Sequence, residues 1–529
     1  MKKTVLLIVA FIVGTVASCT LRPAAPQTYH NPVLPGDFPD PSVIRVGREY
    51  WATATTSDWA PLFPLLRSRD LVHWDLTGAV FQKRPSWSVG NYWAPEISEH
   101  KGRFYVYFVG RQKGGPLSIA VATADHPGGP YTDHGPLIGQ AAGSIDPVTA
   151  IDEKGDRYLI WKEDGNSRKQ PTPIWAQKLS YDGTRLIGEM KELFRNDAPW
   201  EGNLVEGPFL KKRSDWFYVF YSGNACCGRQ CNYALGVARA KSLFGPWEKN
   251  PANPILAANE HWKCPGHGSI VSDPEGNDFL LYHAYDASTF VYVGRQGLLD
   301  KITWIQDGWP VINEGRGPSV QAPSPQVAKD NTERGEFFDG FSKATLDPHW
   351  QWPQANEPVV RLDAAAGMIT LSAPPEQVAE FTAAVLAVQT TAADYVAITC
   401  LDPRSLTGDT AAGLSAFGDS ANALGASVQN GKIVTWRLQK NEIHLLATNS
   451  LPNPSKVQLR CVATGGHRFR FAASGDGRNW SELGNAIDLE GDYLPPWDRG
   501  VRVAITVGGR AGANARFDWL RVTPQHLPR

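Results

Sequence analysis

Three carboxylates in this sequence share a setting that suits acid–base chemistry. Asp40 lies between two prolines, Asp146 is followed by a proline, and Glu206 is followed by a glycine. Each precedes a segment of strand-like composition, so a rigid turn fixes the backbone that carries the acid. Taken singly, Asp-Pro and Glu-Gly are ordinary turn formers. Three such acids on rigid turns predict one shared site.

Carboxylates of this kind can divide acid and base work. Hydrolysis of a glycosidic bond needs one protonated carboxyl to assist the leaving oxygen and one ionised carboxylate to activate water on the opposite face. Both groups tend to ionise near pH 7, so a third negative charge is useful because it keeps the acid protonated. An inverting enzyme holds the acid and the base roughly 6.5–9.5 Å apart.

Short strands surround these acids. From about residue 30 to 315, apolar runs of four to eight residues are rich in aromatic and β-branched types and are bounded by Gly, Pro, Asp or Asn. No helical periodicity persists beyond two turns. Representative runs are 104–109, 118–122, 157–161, 216–221 and 279–283.

A repeat underlies these strands. The segments 67–74, 122–131 and 238–247 each follow an apolar strand, turn, and close on an aromatic residue before a short final strand. Strand starts recur about every 50 to 60 residues, which gives five units of four strands. The sequence therefore predicts an all-β chain with a five-bladed β-propeller over 28–315. Innermost strands start near a propeller's axis, so we expect the three carboxylates to converge there.

A second domain is expected after a polar linker, residues 316–335, that is rich in glycine and proline. Residues 336–529 contain alternating strands without the blade repeat. This pattern favours a β-sandwich.

The three carboxylate segments, together with Tyr92-Trp-Ala-Pro-Glu-Ile97, resemble the family 43 glycoside hydrolases, which are five-bladed propeller enzymes. The resemblance covers about residues 30–312, and the order and spacing of all three motifs agree. It implies that Asp40 is the general base, Glu206 the general acid, and Asp146 a helper that keeps the acid protonated and orients it. The region after the linker is similar, more loosely, to the concanavalin-like sandwich of many β-xylosidase members.

Four further residues are candidates for the pocket. Trp93, in the Trp-Ala-Pro-Glu motif, and Trp59, after the first blade strand, are expected to form walls that stack on a sugar, although many of the 19 tryptophans must be core. Arg295 resembles the family arginine that contacts substrate hydroxyls, with a surface ion pair as the alternative. His267 matches the family histidine over the propeller axis, often beside calcium or sodium. No cofactor is expected for the chemistry, and a structural calcium or sodium ion on the axis is the metal that the resemblance predicts.

Residues 1–19 are predicted to be an export signal. Two lysines precede an apolar run over 5–16, which is too short to span a bilayer. The small residues before Cys19 resemble a bacterial lipobox, in which Cys19 becomes the lipidated first residue; ordinary cleavage is the alternative. We expect an exported protein, periplasmic or lipid-anchored in the outer membrane, with secretion as the alternative.

Export permits disulfides. The cysteines in 226–231 lack the paired Cys-x2-Cys spacing and the nearby histidines of zinc folds, so a disulfide cluster that includes Cys264 is favoured over a metal site. Cys400 and Cys461 lie far downstream, and a bond between them is a further expectation.

Composition excludes other classes of function. Lys and Arg total 52 against 53 for Asp and Glu, without a long run of either sign, so the electrostatic footprint of a nucleic-acid binder is absent. Aromatic residues make up 11% of the chain, which suits stacking on uncharged sugars. Uncharged sugars are therefore expected as partners, and nucleic acid is not. The resemblance implies that the partner is a plant polysaccharide or oligosaccharide.

The resemblance and the residues together predict an inverting exo-glycoside hydrolase. It would release terminal β-D-xylose or α-L-arabinofuranose from plant hemicellulose or arabinan-derived glycans, two pentoses that present similar hydroxyl patterns. The sandwich favours a pocket over the open groove of an endo-arabinanase. The other class considered is a non-catalytic surface carbohydrate-binding lipoprotein, which the loss of any one of the three carboxylates would have favoured.

Overall fold

The structure, a computed structural model, describes residues 27–325, 331, 335–450, 455–484 and 488–525. The predicted export signal and Cys19 lie outside the described residues. Within those ranges the chain forms two β domains, a propeller followed by a sandwich, as the sequence predicts. None of the helices there is long and apolar enough to span a membrane. The described helical segments are the short 3-10 turns Gly165–Arg168, Pro199–Glu201, Phe290–Tyr292, Asn313–Gly315 and Pro403–Ser405.

The propeller consists of five antiparallel four-stranded sheets, numbered here as blades 1 to 5 in chain order. In each blade the chain runs from the innermost strand to the outermost one. The strands are Ser42–Val46, Glu49–Thr53, Leu62–Ser68 and Trp74–Phe81 in blade 1; Trp93–His100, Arg103–Arg111, Leu117–Ala124 and Thr132–Ile138 in blade 2; Ser144–Ile151, Arg157–Glu163, Ile174–Leu179 and Leu186–Phe194 in blade 3; Val205–Arg213, Trp216–Gly223, Ala234–Ala240 and Glu248–Lys249 in blade 4; and Trp262–Ser272, Asp278–Asp286, Gln296–Trp304 and Pro310–Ile312 in blade 5.

The middle strands of a blade are apolar on both faces because each blade packs between two others. In blade 2, nearly every residue of Arg103–Arg111 and all of Leu117–Ala124 are buried. Such strands give continuous apolar runs rather than alternating ones. This is why the sequence showed the middle strands so clearly.

The innermost strands of successive blades contact one another in a ring that closes between blade 5 and blade 1. Outside this ring, Thr28–His30 pairs with Gln321–Pro323 and joins the two ends of the propeller. The propeller thus extends past the predicted boundary at residue 315 and into the predicted linker. A three-residue strand alternates too briefly to be recognised from sequence.

The sandwich packs a nine-stranded sheet on a six-stranded sheet around a core that includes Trp350, Leu414 and Phe517. A short pair, Trp59–Ala60 with Trp352–Pro353, links the propeller to the sandwich. The nine-stranded sheet contains Phe337–Asp339, Val359–Asp363, Met368–Ser372, Tyr395–Asp402, Val457–Thr464, Arg468–Ser474, Ser481–Glu482, Leu489–Glu490 and Asn514–Pro524; the six-stranded sheet contains Ala379–Gln389, Ala411–Asp419, Asn422–Gln429, Lys432–Gln439, Glu442–Ser450 and Arg502–Gly509.

The expected bond between Cys400 and Cys461 is absent, and both cysteines are buried and free. They lie on adjacent strands of the nine-stranded sheet, where Cys400 is opposite Gln458 and Cys461 is opposite Ala397. An offset of three positions places the two side chains on opposite faces of the sheet, because successive residues of a strand alternate in direction. The prediction is therefore wrong in this respect.

A buried ion pair fixes the two domains together. Asp37, in the loop before blade 1, accepts hydrogen bonds from Arg502 Nη1 at 3.1 Å and from the Gly500 amide at 3.0 Å. Both charged side chains are 2% exposed. Burial lowers the pKa of Arg502, and the negative charge of Asp37 opposes that effect. The loop that leads to Asp40 is thus held by the sandwich.

We expect Asp37→Asn to lower the free energy of unfolding by about 3 kcal/mol, because Arg502 is left buried without its counter-charge. The matched control is Glu357→Gln, since Glu357 forms an exposed ion pair with Lys83 of the other domain at 3.3 Å. Exposed pairs contribute about 1 kcal/mol or less. Urea unfolding followed by tryptophan fluorescence measures both variants. Equal losses in the two would contradict the role given to Asp37.

Candidate active site

The three predicted carboxylates meet in one cavity of about 320 Å³ at the propeller axis. Asp40 precedes the innermost strand of blade 1, while Asp146 and Glu206 lie near the starts of the innermost strands of blades 3 and 4. All three are buried apart from the face that lines the cavity. The closed ring of blades therefore brings together acids that are up to 166 positions apart in sequence.

Local backbone geometry explains the turn residues around the acids. Asp40 and Asp146 adopt left-handed conformations, with φ of 51° and 57°. Such conformations are uncommon outside glycine and often occur at functional sites. Gly207 has φ of 57°, and a Cβ there would lie 2.8 Å from His267 Cγ. Only glycine can follow Glu206 in this packing.

Asp40 is held in its ionised form by a cluster of basic groups. Arg295 Nη1 lies 2.9 Å from Asp40 Oδ1, and Thr55 Oγ1 donates to Oδ2 at 2.7 Å. His267 Nδ1 lies 3.4 Å from the same Oδ1. Burial alone would raise the pKa of Asp40, but Arg295, followed by His267, lowers it well below its usual range. Asp40 is therefore a carboxylate throughout the ordinary pH range.

His283 holds the backbone of Asp40 through a hydrogen bond. The Asp40 amide donates to His283 Nδ1 at 3.1 Å, so that nitrogen carries the lone pair. Burial, with the positive Arg295, lowers the pKa of His283 to about 4, which keeps the ring neutral. The ring stacks on Tyr233 with centroids 5.7 Å apart. His283 thus fixes the backbone of Asp40 without adding charge at neutral pH.

Asp146 lies beside the Glu206 segment. Its Oδ2 accepts a hydrogen bond from the Gly207 amide at 2.9 Å. Burial raises the pKa of Asp146 to about 6, and the negative charge of Glu206 acts in the same direction against the opposing His267. This carboxyl therefore exchanges its proton in the mildly acidic range, where an exposed aspartate is already ionised.

Glu206 is paired with a lysine that the sequence reasoning missed. Lys162 Nζ donates to Glu206 Oε2 at 2.7 Å and to Asp164 Oδ1 at 3.0 Å. Lys162 is 1% exposed. Burial would lower its pKa, but Glu206 and Asp164 raise it above the ordinary value, so Lys162 stays charged. The available signal was a lysine directly after the strand-like run 157–161.

The sandwich completes the cavity wall. Trp497 and Asp498, from a loop before Arg502, line the cavity together with Trp93. The two tryptophan rings meet edge to face with centroids 6.0 Å apart, and Trp497 is 59% exposed. The Asp498 carbonyl accepts from Arg295 Nη2 at 3.3 Å. Sequence reasoning missed Trp497 and Asp498 because they belong to the second domain, far from the propeller motifs in sequence.

Trp59 does not line this cavity. Its side chain is 2% exposed and packs on Phe417 of the sandwich, with ring centroids 5.7 Å apart. The Arg502 guanidinium lies 5.0 Å from its ring centroid. Trp59 is therefore part of the core between the domains, and the expectation that it stacks on substrate is not supported. Arg295, Trp93 and His267 do lie at the site.

Among the described residues, no set of side chains is arranged as ligands for the predicted axial ion. In the described ranges, no group of three or more His, Cys, Asp or Glu side chains converges as a metal site. His267 instead faces the carboxylate of Asp40. The side chains present do not by themselves form an ion cage, so no step of the chemistry is assigned to a metal.

Comparison with known families agrees with this fold. Residues 29–310, more than half of the chain, match the model described as glycosyl hydrolases family 43. Residues 338–523 match the β-xylosidase C-terminal concanavalin A-like domain. The chain therefore belongs to glycosyl hydrolase family 43.

Individual relatives are similar over different lengths. Xylosidase/arabinosidase 43B of Humicola insolens is 29% identical over 350 residues, which are 62% of this chain and 62% of that protein, so the match spans less than two thirds of this relative. A putative β-xylosidase of Xylanibacter ruminicola is 28% identical over 90% of this chain and 85% of its own. A solved family 43 structure from Bacillus licheniformis superposes with a TM-score of 0.81 at 25% identity, covering 94% of this chain and all of that one.

Proposed function

We propose that this protein is an inverting exo-glycosidase that releases a terminal pentose, β-D-xylose or α-L-arabinofuranose, from plant hemicellulose or arabinan-derived glycans. The observation that carries the proposal is the cavity in which an ionised Asp40 and the Asp146–Glu206 pair line the same space. Relatives named xylosidase/arabinosidase, and one named as a non-reducing end α-L-arabinofuranosidase, support the substrate class.

In this mechanism Asp40 is the general base. It removes a proton from a water molecule, whose oxygen attacks the anomeric carbon as the glycosidic bond breaks. Glu206 gives its proton to the departing oxygen. Arg295 keeps Asp40 ionised. His283 fixes the Asp40 backbone, and Asp146 holds the Glu206 segment through the Gly207 amide.

The cavity shape favours an exo-acting enzyme over an endo-arabinanase. Trp497 and Asp498 of the sandwich border the space beside the three acids, which suits one terminal sugar rather than a continuous chain. A non-catalytic binding protein is disfavoured because it has no need for a buried base held ionised against its own desolvation. For the predicted signal and Cys19, we propose export and lipid anchoring in the periplasm or outer membrane.

We expect Asp40→Ala and Glu206→Ala each to lower kcat/KM on natural xylo- or arabino-oligosaccharides by about a thousandfold or more, because each removes one proton-transfer group. Glu357→Gln, outside the cavity, is the control and should retain wild-type activity. Reducing-sugar assays give the rates, and circular dichroism checks the fold. A wild-type protein inactive on aryl pentosides and arabinoxylan would refute the proposed function, and active folded variants would refute the site.

The stereochemistry of the product tests the role of Asp40. Water activation by a base predicts a product of inverted anomeric configuration, since no covalent sugar–enzyme bond forms. Proton NMR of the first product, recorded before mutarotation, distinguishes the two anomers. A product that keeps the substrate's configuration would make one carboxylate a nucleophile.

Asp146→Asn removes one negative charge beside Glu206. It keeps an oxygen that can accept the hydrogen bond from the Gly207 amide. The negative charges of Asp146 and Glu206 repel each other, so the loss of the Asp146 charge should move the alkaline limb of the pH–rate profile to lower pH. Nitrophenyl pentosides should lose less activity than natural glycosides, because good leaving groups need less proton donation. An unchanged pH–rate profile, with equal losses of activity on both substrates, would show that Asp146 is only a turn residue.

A further inference from the structure

The cysteine-rich loop of blade 4 has no part in the acid–base chemistry, yet it borders the site. Residues 224–233 join Trp216–Gly223 to Ala234–Ala240 at the end of the blade where Glu206 lies. Adjacent Cys226 and Cys227 are bonded to each other. Both line the same cavity as Asp40, Asp146 and Glu206.

Several links fix this loop in place. Cys231 is bonded to Cys264 in the innermost strand of blade 5. The Gly228 amide donates to Tyr285 Oη at 3.2 Å, and Arg229 Nη2 donates to the Asp492 carbonyl of the sandwich at 2.7 Å. The loop is thus tied to blade 5 and to the second domain, so the bonded cysteine pair has little freedom to move.

The surface of the bonded cysteine pair differs from that of the polar residues in the cavity. A disulfide has no hydrogen to donate, and its sulfurs are weak acceptors that behave as apolar, polarizable groups. A sugar has faces of C–H groups that pack well on such a surface, whereas a hydroxyl buried against it would lose a partner. The same cavity also contains the three acids, whose polar groups suit the hydroxyl edge of a sugar.

We propose that the Cys226–Cys227 disulfide is a rigid apolar wall that contacts the C–H face of the bound pentose and sets substrate affinity. The proposal rests on the proposed function and adds a specificity-determining pair to it. The wall acts on binding and not on proton transfer, so its removal raises KM far more than it lowers kcat.

The first test compares Cys226→Ser/Cys227→Ser with Cys226→Ala/Cys227→Ala on nitrophenyl pentosides. The serine pair should raise KM about tenfold, because hydroxyls replace the apolar wall, with kcat changed less than about threefold. The alanine pair, which remains apolar, should raise KM less. Cys400→Ala, a buried cysteine outside the cavity, should leave both constants unchanged. Unaltered KM in folded serine and alanine variants overturns the proposal.

A second measurement uses the wild-type protein and does not depend on the folding of a variant. Tris(2-carboxyethyl)phosphine reduces a disulfide to two thiols, while the phosphine takes up the oxygen of one water molecule and becomes its oxide. Cys226 and Cys227 are both half-buried and border the cavity, whereas in the second disulfide Cys231 is half-buried and Cys264 is 3% exposed, so the Cys226–Cys227 bond should be reduced first. Alkylation and mass spectrometry report which bond is open at each time.

The expected result is a KM that rises in step with the fraction of opened Cys226–Cys227 and returns on reoxidation. A KM that stays constant while this bond is open, or that follows only the Cys231–Cys264 bond, overturns the proposal. A wild-type protein without activity on any pentoside would instead refute the proposed function. The two failures are therefore distinguishable.

Discussion

The ion pair between Arg295 and Asp40 connects the chemistry of this protein with its architecture. The guanidinium keeps the carboxylate ionised although burial opposes the charge. Arg295 also donates to the Asp498 carbonyl of the sandwich, and its amide donates to Asp37 Oδ1 at 3.1 Å. Asp37 in turn pairs with Arg502. One chain of buried polar contacts thus runs from the base to the second domain.

The two sides of the cavity have opposite electrostatic characters. Arg295 and His267 lie against the Asp40 carboxylate and favour its ionised form, while the neutral His283 holds the Asp40 backbone. Asp146, by contrast, lies near a second acid, and burial favours its protonated form. Lys162 limits the repulsion by balancing Glu206 and Asp164. Environments that separate the protonation of neighbouring carboxyls are what a division into acid and base requires.

The sandwich contributes to the site as well as to stability. Its loop places Trp497 and Asp498 in the wall of the cavity. The cysteine-rich loop of blade 4 lies against it, since a Cβ on Gly228 would approach the Trp497 carbonyl to 3.0 Å. The domain contact, which includes the buried pair of Asp37 and Arg502, therefore bears on the form of the cavity.

The sequence by itself determined the β class, the five blades and the three acids, because turns and apolar runs are local and because Asp40, Asp146 and Glu206 lie in recognisable turn motifs.

Only the tertiary structure decided which other side chains join them. Trp59 and Trp93 look alike in sequence, but one is buried against the sandwich and the other lines the cavity. Lys162, Trp497 and the Cys226–Cys227 pair reach the site through packing between distant segments, and local pattern carries no information about such contacts. Cys400 and Cys461 stay unbonded for the same reason, since strand register alone placed them on opposite faces of one sheet.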